Sequence, residues 1–266
     1  MSVQVDMRVS NLRKRFARRD VLRGVTLDFP AGKITVVLGA SGCGKSVLLK
    51  HLVGLLRPDR GEVWFGSTRI DKLSERELGI VRRQIGFLFQ QSALFDSLTV
   101  RENIAFPLRE HEVHDEALLD AKVKHVLNLV GLDETIDQMP SELSGGQRKR
   151  VALARAVVLE PRVVLYDEPT TGLDPIRSEV INQLILKFSQ TLGITSIVVT
   201  HDLVSAYRIA DHMVLLHEGK VILEGTAEEF QSTTNPVAGQ FLRGELGADE
   251  LARIRGNRDD GAKRRP

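Results

Sequence analysis

The chain has 266 residues, room for one large α/β domain with an inserted lobe. Its 42% hydrophobic and 27% charged content is that of an ordinary globular protein, and a net charge of +2 excludes a nucleic-acid binder that relies on a large basic field. The single cysteine, Cys43, excludes an intrachain disulfide and fits a reducing compartment. No uninterrupted apolar run approaches bilayer-spanning length, and Met1 to Asp6 lacks the basic and apolar regions of a signal peptide. The expected address is therefore the cytoplasm, with a membrane reached only through a partner.

Residues from about Met7 to Phe29 alternate apolar and polar positions around a turn near Arg18-Arg19-Asp20, the pattern of antiparallel strands. Phe16, beside that turn, suits either an adenine-stacking ring or a hairpin core position, and the local sequence leaves both open. The β-branched run Ile34–Leu38 reads as a buried strand. It leads into Gly39-Ala40-Ser41-Gly42-Cys43-Gly44-Lys45-Ser46, which matches G-x-x-x-x-G-K-[ST], and Val47–Leu52 opens a helix behind it. Glycines there let backbone N–H groups close around phosphate oxygens, and the helix N-terminus adds its dipole. Lys45 is expected to reach the β- and γ-phosphates and Ser46 to ligate Mg²⁺. Cys43 occupies a variable position of the motif and reads as a small space-filling residue.

Gly61–Gly66 is a further expected strand, and Ser74-Glu75-Arg76-Glu77 is a capping box that starts a helix. Ile85–Phe89 reads as a core strand ending at Gln90-Gln91. Thr99-Val100-Arg101-Glu102 is a second capping box, and Ala117 to Val130 has helical spacing. Leu143-Ser144-Gly145-Gly146-Gln147 opens a long helix to about Val158, before Pro161. Val163–Tyr166 is a β run ending in Asp167-Glu168, and Asp174-Pro175 is an N-cap with proline at the first helical position. Ser196–Thr200 is another buried strand, ending at His201-Asp202; two short strands around Met213–Leu216 and Lys220–Leu223 and a helix capped by Thr226 follow. Strands alternating with helices, with polar motifs at the strands' C-terminal ends, predict a mainly parallel α/β sheet with ligands at that edge. Two carboxylates at the end of a buried strand suit nucleotide chemistry: Asp167 to hold Mg²⁺, Glu168 to polarise the water that attacks a γ-phosphate. His111 and His114 flank Glu112-Val113 without the H-E-x-x-H spacing of a zinc site and read as solvated helix-end residues.

Taken together, Gly39–Ser46, Gln90, Leu143–Gln147, Val163–Glu168, Asp174 and His201 resemble the ATP-binding-cassette (ABC) ATPase family over nearly the whole chain to about Phe230. Leu-Ser-Gly-Gly-Gln at 143–147 is the family signature. The resemblance implies a phosphate-loop (P-loop) NTPase fold of the RecA-like kind, with a mainly parallel core, an antiparallel β subdomain and an inserted α-helical signature subdomain. It implies an ATPase domain over 1–235 with the helical insertion at about 91–160, and a C-terminal helix and disordered tail over 236–266. It assigns Glu168 as general base, His201 as γ-phosphate sensor, and Gln90 as the switch sensing Mg²⁺ and γ-phosphate. ATP contacts are implied for Phe16, Gly39, Ala40, Ser41, Gly42, Cys43, Gly44, Lys45, Ser46 and Val47, with Ser46, Gln90 and Asp167 toward Mg²⁺. Ser144, Gly145, Gly146, Gln147 and Asp174 would complete the site of a second subunit, so a homodimer is implied. Val47 stands where many family members have threonine.

The stretch Gln90 to His111, with Gln147-Arg148-Lys149-Arg150 and Leu165 to Pro175, looks like the ATPase subunit of Mce-associated phospholipid transporters of the lipid-asymmetry (Mla) type. That implies two copies at the cytoplasmic face of the inner membrane beneath two copies of an integral-membrane permease. A periplasmic ring of Mce-domain subunits would join them, with glycerophospholipid as cargo and no nucleic-acid partner. Leu94, Phe95 and Leu98 are candidates for the groove that receives the permease, or equally for packing inside the helical lobe. The alternatives are the ATPase of a nutrient importer and a non-transport cassette protein.

Overall fold

A computed structural model describes residues 5–111 and 115–245. His114 and the tail expected after Glu245 lie outside the described residues. The first strands are β1 (Met7–Phe16) and β2 (Arg19–Phe29), paired antiparallel across a turn at Ala17-Arg18. β4 (Arg60–Phe65) pairs with the other edge of β1, and the two-residue β5 (Thr68–Arg69) completes a four-stranded antiparallel sheet of order β2-β1-β4-β5.

The second sheet has six strands in the order β10-β9-β3-β8-β7-β6: β3 (Ile34–Leu38), β6 (Ile85–Leu88), β7 (Val163–Asp167), β8 (Thr195–Thr200), β9 (His212–His217) and β10 (Lys220–Gly225). Every pairing is parallel except β9 with β10. The central strands are buried on both faces. Val36 and Leu38, Val164 and Tyr166, and Val198 enter one core with the helices of the inserted lobe; Val37, Val163 and Leu165, and Ile197 and Val199 enter a second core beneath the antiparallel sheet. A side-chain period of two on strands with no solvent face explains their unbroken apolar sequence.

The helices are α1 (Lys45–Leu52), α2 (Glu75–Arg82), α3 (Val100–Glu110), α4 (Glu116–Leu129), α5 (Gly145–Val157), α6 (Pro175–Leu192), α7 (Leu203–Ile209), α8 (Ala227–Gln231) and α9 (Pro236–Arg243). Both expected capping boxes form: Ser74 accepts from the Glu77 N–H and Thr99 from the Glu102 N–H, and each glutamate accepts the cap residue's own N–H in return. Pro175 occupies the first turn of α6 behind the Asp174 cap. α7 was not expected from the sequence: seven residues are too few for a helical period to stand out. The lobe formed by α3, α4 and α5 lies between β6 and β7 in the chain, within the expected insertion.

Candidate nucleotide site

Parallel pairing brings four motifs to one sheet edge. Leu38 pairs with Thr200, Asp167 with Val199, and Tyr166 with Leu88, so the segments after β3, β8, β7 and β6 leave the sheet side by side. Those segments carry the P-loop, His201, Glu168 and Gln90. A cavity of ≈ 350 Å³ there is lined by Val21, Ser41, Gly42, Gly44, Lys45, Ser46, Val47, Gln90 and Glu168.

The loop's backbone needs its glycines. Gly44 caps α1 at φ 114, and a Cβ there would lie 2.9 Å from Leu22 Cδ2 and 3.1 Å from the Val21 carbonyl oxygen. At Gly39 a Cβ would sit 2.6 Å from Cys43 Sγ, so this buried cysteine does fill space inside the loop, and burial pushes its thiol pKa up. Among the described α-helices only α1 lacks a side-chain N-cap; the other eight are capped by Ser, Thr, Asp or Asn. Its first N–H groups therefore face the cavity without a side-chain acceptor, as an anion site requires.

Lys45 is 5% exposed and donates to the carbonyl oxygens of Gly39 (2.6 Å) and Ala40 (3.2 Å); its Nζ lies 3.5 Å from Glu168 Oε1. The other oxygen, Glu168 Oε2, is within hydrogen-bond reach of His201 Nδ1 (2.9 Å) and accepts from Thr171 Oγ1 (3.1 Å) and Thr200 Oγ1 (3.3 Å). Fixed on three sides and buried, this carboxylate is oriented toward the cavity and shielded from bulk water. Ser46 Oγ donates to Asp167 Oδ1 at 2.9 Å, and burial holds the Asp167 carboxyl above the usual carboxylate range, with the Ser46 hydrogen bond opposing. No cluster of three or more His, Cys, Asp or Glu side chains arranged for a metal occurs among the described residues. The hydroxyl of Ser46, the carboxylate of Asp167 and the amide of Gln90 are an all-oxygen set with one negative charge. Such a set fits Mg²⁺, which takes one or two carboxylates and completes its shell with water and phosphate oxygens.

Phe16 ends β1, is 42% exposed and has Lys14 Nζ 5.5 Å from its ring centroid, so it is not a core residue of the hairpin. Arg19 NH2 donates to the Gly42 carbonyl at 3.3 Å and ties the hairpin to the P-loop. Val47 is half-buried against the core, and its carbonyl accepts from His51 Nδ1 at 2.7 Å.

The signature lies elsewhere in the same chain. Ser144 caps α5, accepting the Gln147 N–H at 3.3 Å, while Gln147 Oε1 accepts the Ser144 N–H at 2.8 Å. A small cleft is lined by Ser144, Gly146, Gln147, Arg150, Arg177, Val180 and Ile181, none of which borders the P-loop cavity. Asp174 accepts the Arg177 N–H at 2.9 Å, and Arg177 packs where a Cβ on Gly146 would be 3.3 Å away. The structure thus gathers Gly39–Ser46, Gln90, Asp167, Glu168 and His201 into one group, and Ser144, Gly146, Gln147 and Asp174 into another. Two residues with no site role expected from the sequence join the first group: Lys149 and Arg19. Lys149 donates to the carbonyls of Gln90 and Glu168, and burial lowers its pKa.

A third feature lies beyond Gln90. Phe87 stacks on Phe89 at 4.2 Å and Phe95 tilts on Phe106 at 4.7 Å, lining a groove of ≈ 470 Å³ with Pro107, His111 and Arg155. Of the three expected groove residues, Phe95 faces it, whereas Leu94 turns inward and packs on the helical core. Leu98 is half-buried and does not line the groove.

A phosphate-binding loop on a parallel sheet edge, a carboxylate fixed beside it and a detached Ser-Gly-Gly helix start define an ATP-hydrolysing cassette. Residues 22–171 match the ABC transporter family, and the chain belongs to that family. It is similar to the intermembrane phospholipid transport system ATP-binding protein MlaF of Haemophilus influenzae, 44% identical over 89% of this chain and 90% of that one. The MlaF of Escherichia coli K12 is 41% identical over 90% and 88%. A probable ribonucleotide transport ATP-binding protein, mkl, of Mycobacterium leprae is 43% identical over 92% of this chain and 70% of its own length. Among solved structures, a dimeric ATP-binding cassette in a post-hydrolysis state with ADP and Pi aligns with TM-score 0.77 and 32% identity, over 83% of this chain and 98% of that one. A cassette of the cbiONQ ABC transporter complex of Clostridium perfringens aligns with TM-score 0.79 and 32% identity, over 89% and 94%. Among the described residues, no helix is long and apolar enough to cross a membrane.

Proposed function

We propose that this ATPase works as a homodimer under an integral-membrane permease at the cytoplasmic face of the inner membrane, driving phospholipid transport between inner and outer membranes with a periplasmic Mce-domain subunit. The observation that carries the cargo is the likeness to the two MlaF proteins along almost the full length of both chains. The aromatic groove beyond Gln90 supports the permease contact, because exposed apolar patches of this kind mark sites of protein–protein interaction. Purification of the tagged chain from gently extracted membranes tests the reading; a permease with an Mce-domain protein and bound phospholipid is expected. The printed name of the mycobacterial relative favours a second reading, ribonucleotide transport, and recovery of a permease without an Mce-domain protein or lipid would turn the assignment that way.

For the chemistry, Phe16 stacks on adenine and the N–H groups from Gly39 to Val47 hold the phosphates, with Lys45 leaving its loop carbonyls to reach the β- and γ-oxygens. Ser46, Asp167 and Gln90 would hold Mg²⁺, which would offset the charge of the phosphates. Glu168 accepts a proton from the water that attacks the γ-phosphorus as the bond to the ADP oxygen breaks, and His201 fixes the carboxylate and the water in line. Ser144 and Gly146 supply a hydroxyl and backbone N–H groups to the γ-phosphate held by the partner subunit, and Asp174 crosses to that subunit. The separation of the signature cleft from the P-loop cavity within one chain supports this two-chain site.

A further inference from the structure

Three non-glycine residues near the cavity adopt left-handed backbone: Ser92 (φ 63) and Ala93 (φ 47), just past Gln90, and Glu168 (φ 50). Such conformations are strained for residues with a Cβ and persist only where their surroundings over-determine them. Hydrogen bonds along the strand ends supply part of the restraint: the Glu168 N–H donates to Val199 O and the Ser92 N–H to Phe89 O, each at 2.9 Å. The Thr171 N–H, which donates to the Glu168 carbonyl at 3.3 Å, adds to it, and one helix holds both turns at once. Lys149 on α5 is 5% exposed and donates to the carbonyl of Gln90 and, at 3.4 Å, to that of Glu168. Six residues further along α5, Arg155 donates to the carbonyl of Ser92 at 2.9 Å, with its guanidinium carbon 5.8 Å from the Phe95 ring centroid.

The acceptors matter. A buried ammonium that bonds main-chain carbonyls restrains backbone rather than side chain, and a charged donor makes those bonds stronger than neutral ones. Among the described residues, Lys149 is the single side chain that bonds both the segment carrying Gln90 and the segment carrying Glu168. α5 itself is capped by Ser144, so the signature cleft, the two turns and the aromatic groove are all fastened to one element.

We propose that Lys149 is a positioning residue for hydrolysis: it sets the spacing between the Gln90 and Glu168 backbones so that both side chains face the same γ-phosphate, and Arg155 extends the restraint to the groove at Phe95. This rests on the reading of Glu168 as the base. Removing the lysine donors relaxes both turns and misplaces the carboxylate without touching the phosphate-binding loop.

The test compares wild type, K149M, K149R, K149Q, E168Q and the K149M/E168Q double variant of the full chain. It measures steady-state ATP turnover, KM and calorimetric ATP affinity. K149M keeps the stem and deletes the donors; it is expected to lose about tenfold or more in kcat while ATP affinity stays within about twofold, and K149R, which keeps a charged donor, is expected to recover most of the loss. If K149M does not fold, K149Q, with an uncharged amide on a shorter stem, is expected to show the same loss confined to kcat. In the E168Q background K149M should cost less than about twofold more, because a residue acting through another is non-additive with it. Wild-type turnover in K149M or K149Q, a parallel loss of ATP affinity, or an undiminished further loss in the E168Q background would each overturn the proposal. Wild-type turnover in E168Q would instead remove the base assignment, and it is read independently of Lys149.

Discussion

Replacing Glu168 with glutamine separates chemistry from binding at this site. The glutamine keeps an oxygen able to accept from Thr171, Thr200 and His201, and it deletes one negative charge 3.5 Å from Lys45 Nζ. At an effective dielectric of about 20 the gross attraction lost is ~5 kcal/mol, but relief of the desolvation of a buried carboxylate, several kcal/mol per ion, offsets most of it. Lys45 is not stranded, because the Gly39 and Ala40 carbonyls still accept from it. The expected change in melting temperature is therefore small. ATP affinity is expected to hold or tighten, since a negative charge is removed from a cavity that receives phosphates. Turnover is expected to fall about 10²–10⁴-fold, the usual yield of a positioned base, which is ~3–5 kcal/mol on the barrier. Thermal melts, ATP titration and phosphate release measure the three quantities, and gel filtration with and without ATP adds the assembly state; a variant that binds ATP but does not cleave it should elute as a dimer. Turnover within tenfold of wild type at unchanged affinity would refute the argument.

Asp174→Ala removes the N-cap of the longest helix and its pairing with Arg177, so a loss of about 1 kcal/mol is expected, seen as a fall of ~2–4 °C in melting temperature. Phe16→Ala should raise the dissociation constant for ATP about two- to tenfold and Phe16→Tyr should leave it unchanged, measured by calorimetry; equal affinities for Ala and Phe would end the stacking assignment. Phe106→Asp puts a carboxylate against the Phe95 ring and should abolish co-purification of a permease while ATP affinity is kept. His51 is buried, its Nδ1 bonds the Val47 carbonyl, and desolvation depresses its pKa, so the folded state resists protonation. Stability contributed by neutral His51 is then lost as pH falls below the unfolded value near 6.5, and thermal melts of His51→Gln should decline less than wild type between about pH 7 and pH 5.5.

The parts of the site legible in the sequence are those whose chemistry is written in consecutive residues. The P-loop, Asp167-Glu168, the signature and the capping boxes each need particular residue types at fixed short spacing. Lys149, Arg155 and Arg19 carry no such mark. Their acceptors are Gln90, Ser92 and Gly42, 59, 63 and 23 residues away, and only the folded chain brings them together. The antiparallel sheet was half legible for the same reason. Alternation revealed β1 and β2, but the pairing of β1 with β4 joins Met7 to Phe65 across the whole P-loop and α1. Leu94 and Phe95 are both large and apolar, and local sequence could not tell which of two neighbours turns inward; packing of Leu94 on the helical core decides it.

The signature shows why a local reading of a motif and its functional reading need not compete. Ser144 is fully employed as an N-cap in the sense that its Oγ accepts from the Gln147 N–H and closes a capping box. A hydroxyl nevertheless has one proton to donate and a second lone pair. The capping bond fixes the rotamer and leaves that proton free, at a helix start where the dipole already favours an anion. A Cβ on Gly146 would lie 3.3 Å from Arg177 Cδ, a few tenths of an ångström inside an ordinary carbon–carbon contact. Glycine here keeps Arg177, which the Asp174 cap anchors at the start of α6, packed against the signature helix. The residues that stabilise the monomer here thus also line a surface that its own P-loop cavity does not share, an arrangement that supports the proposed site shared between two chains.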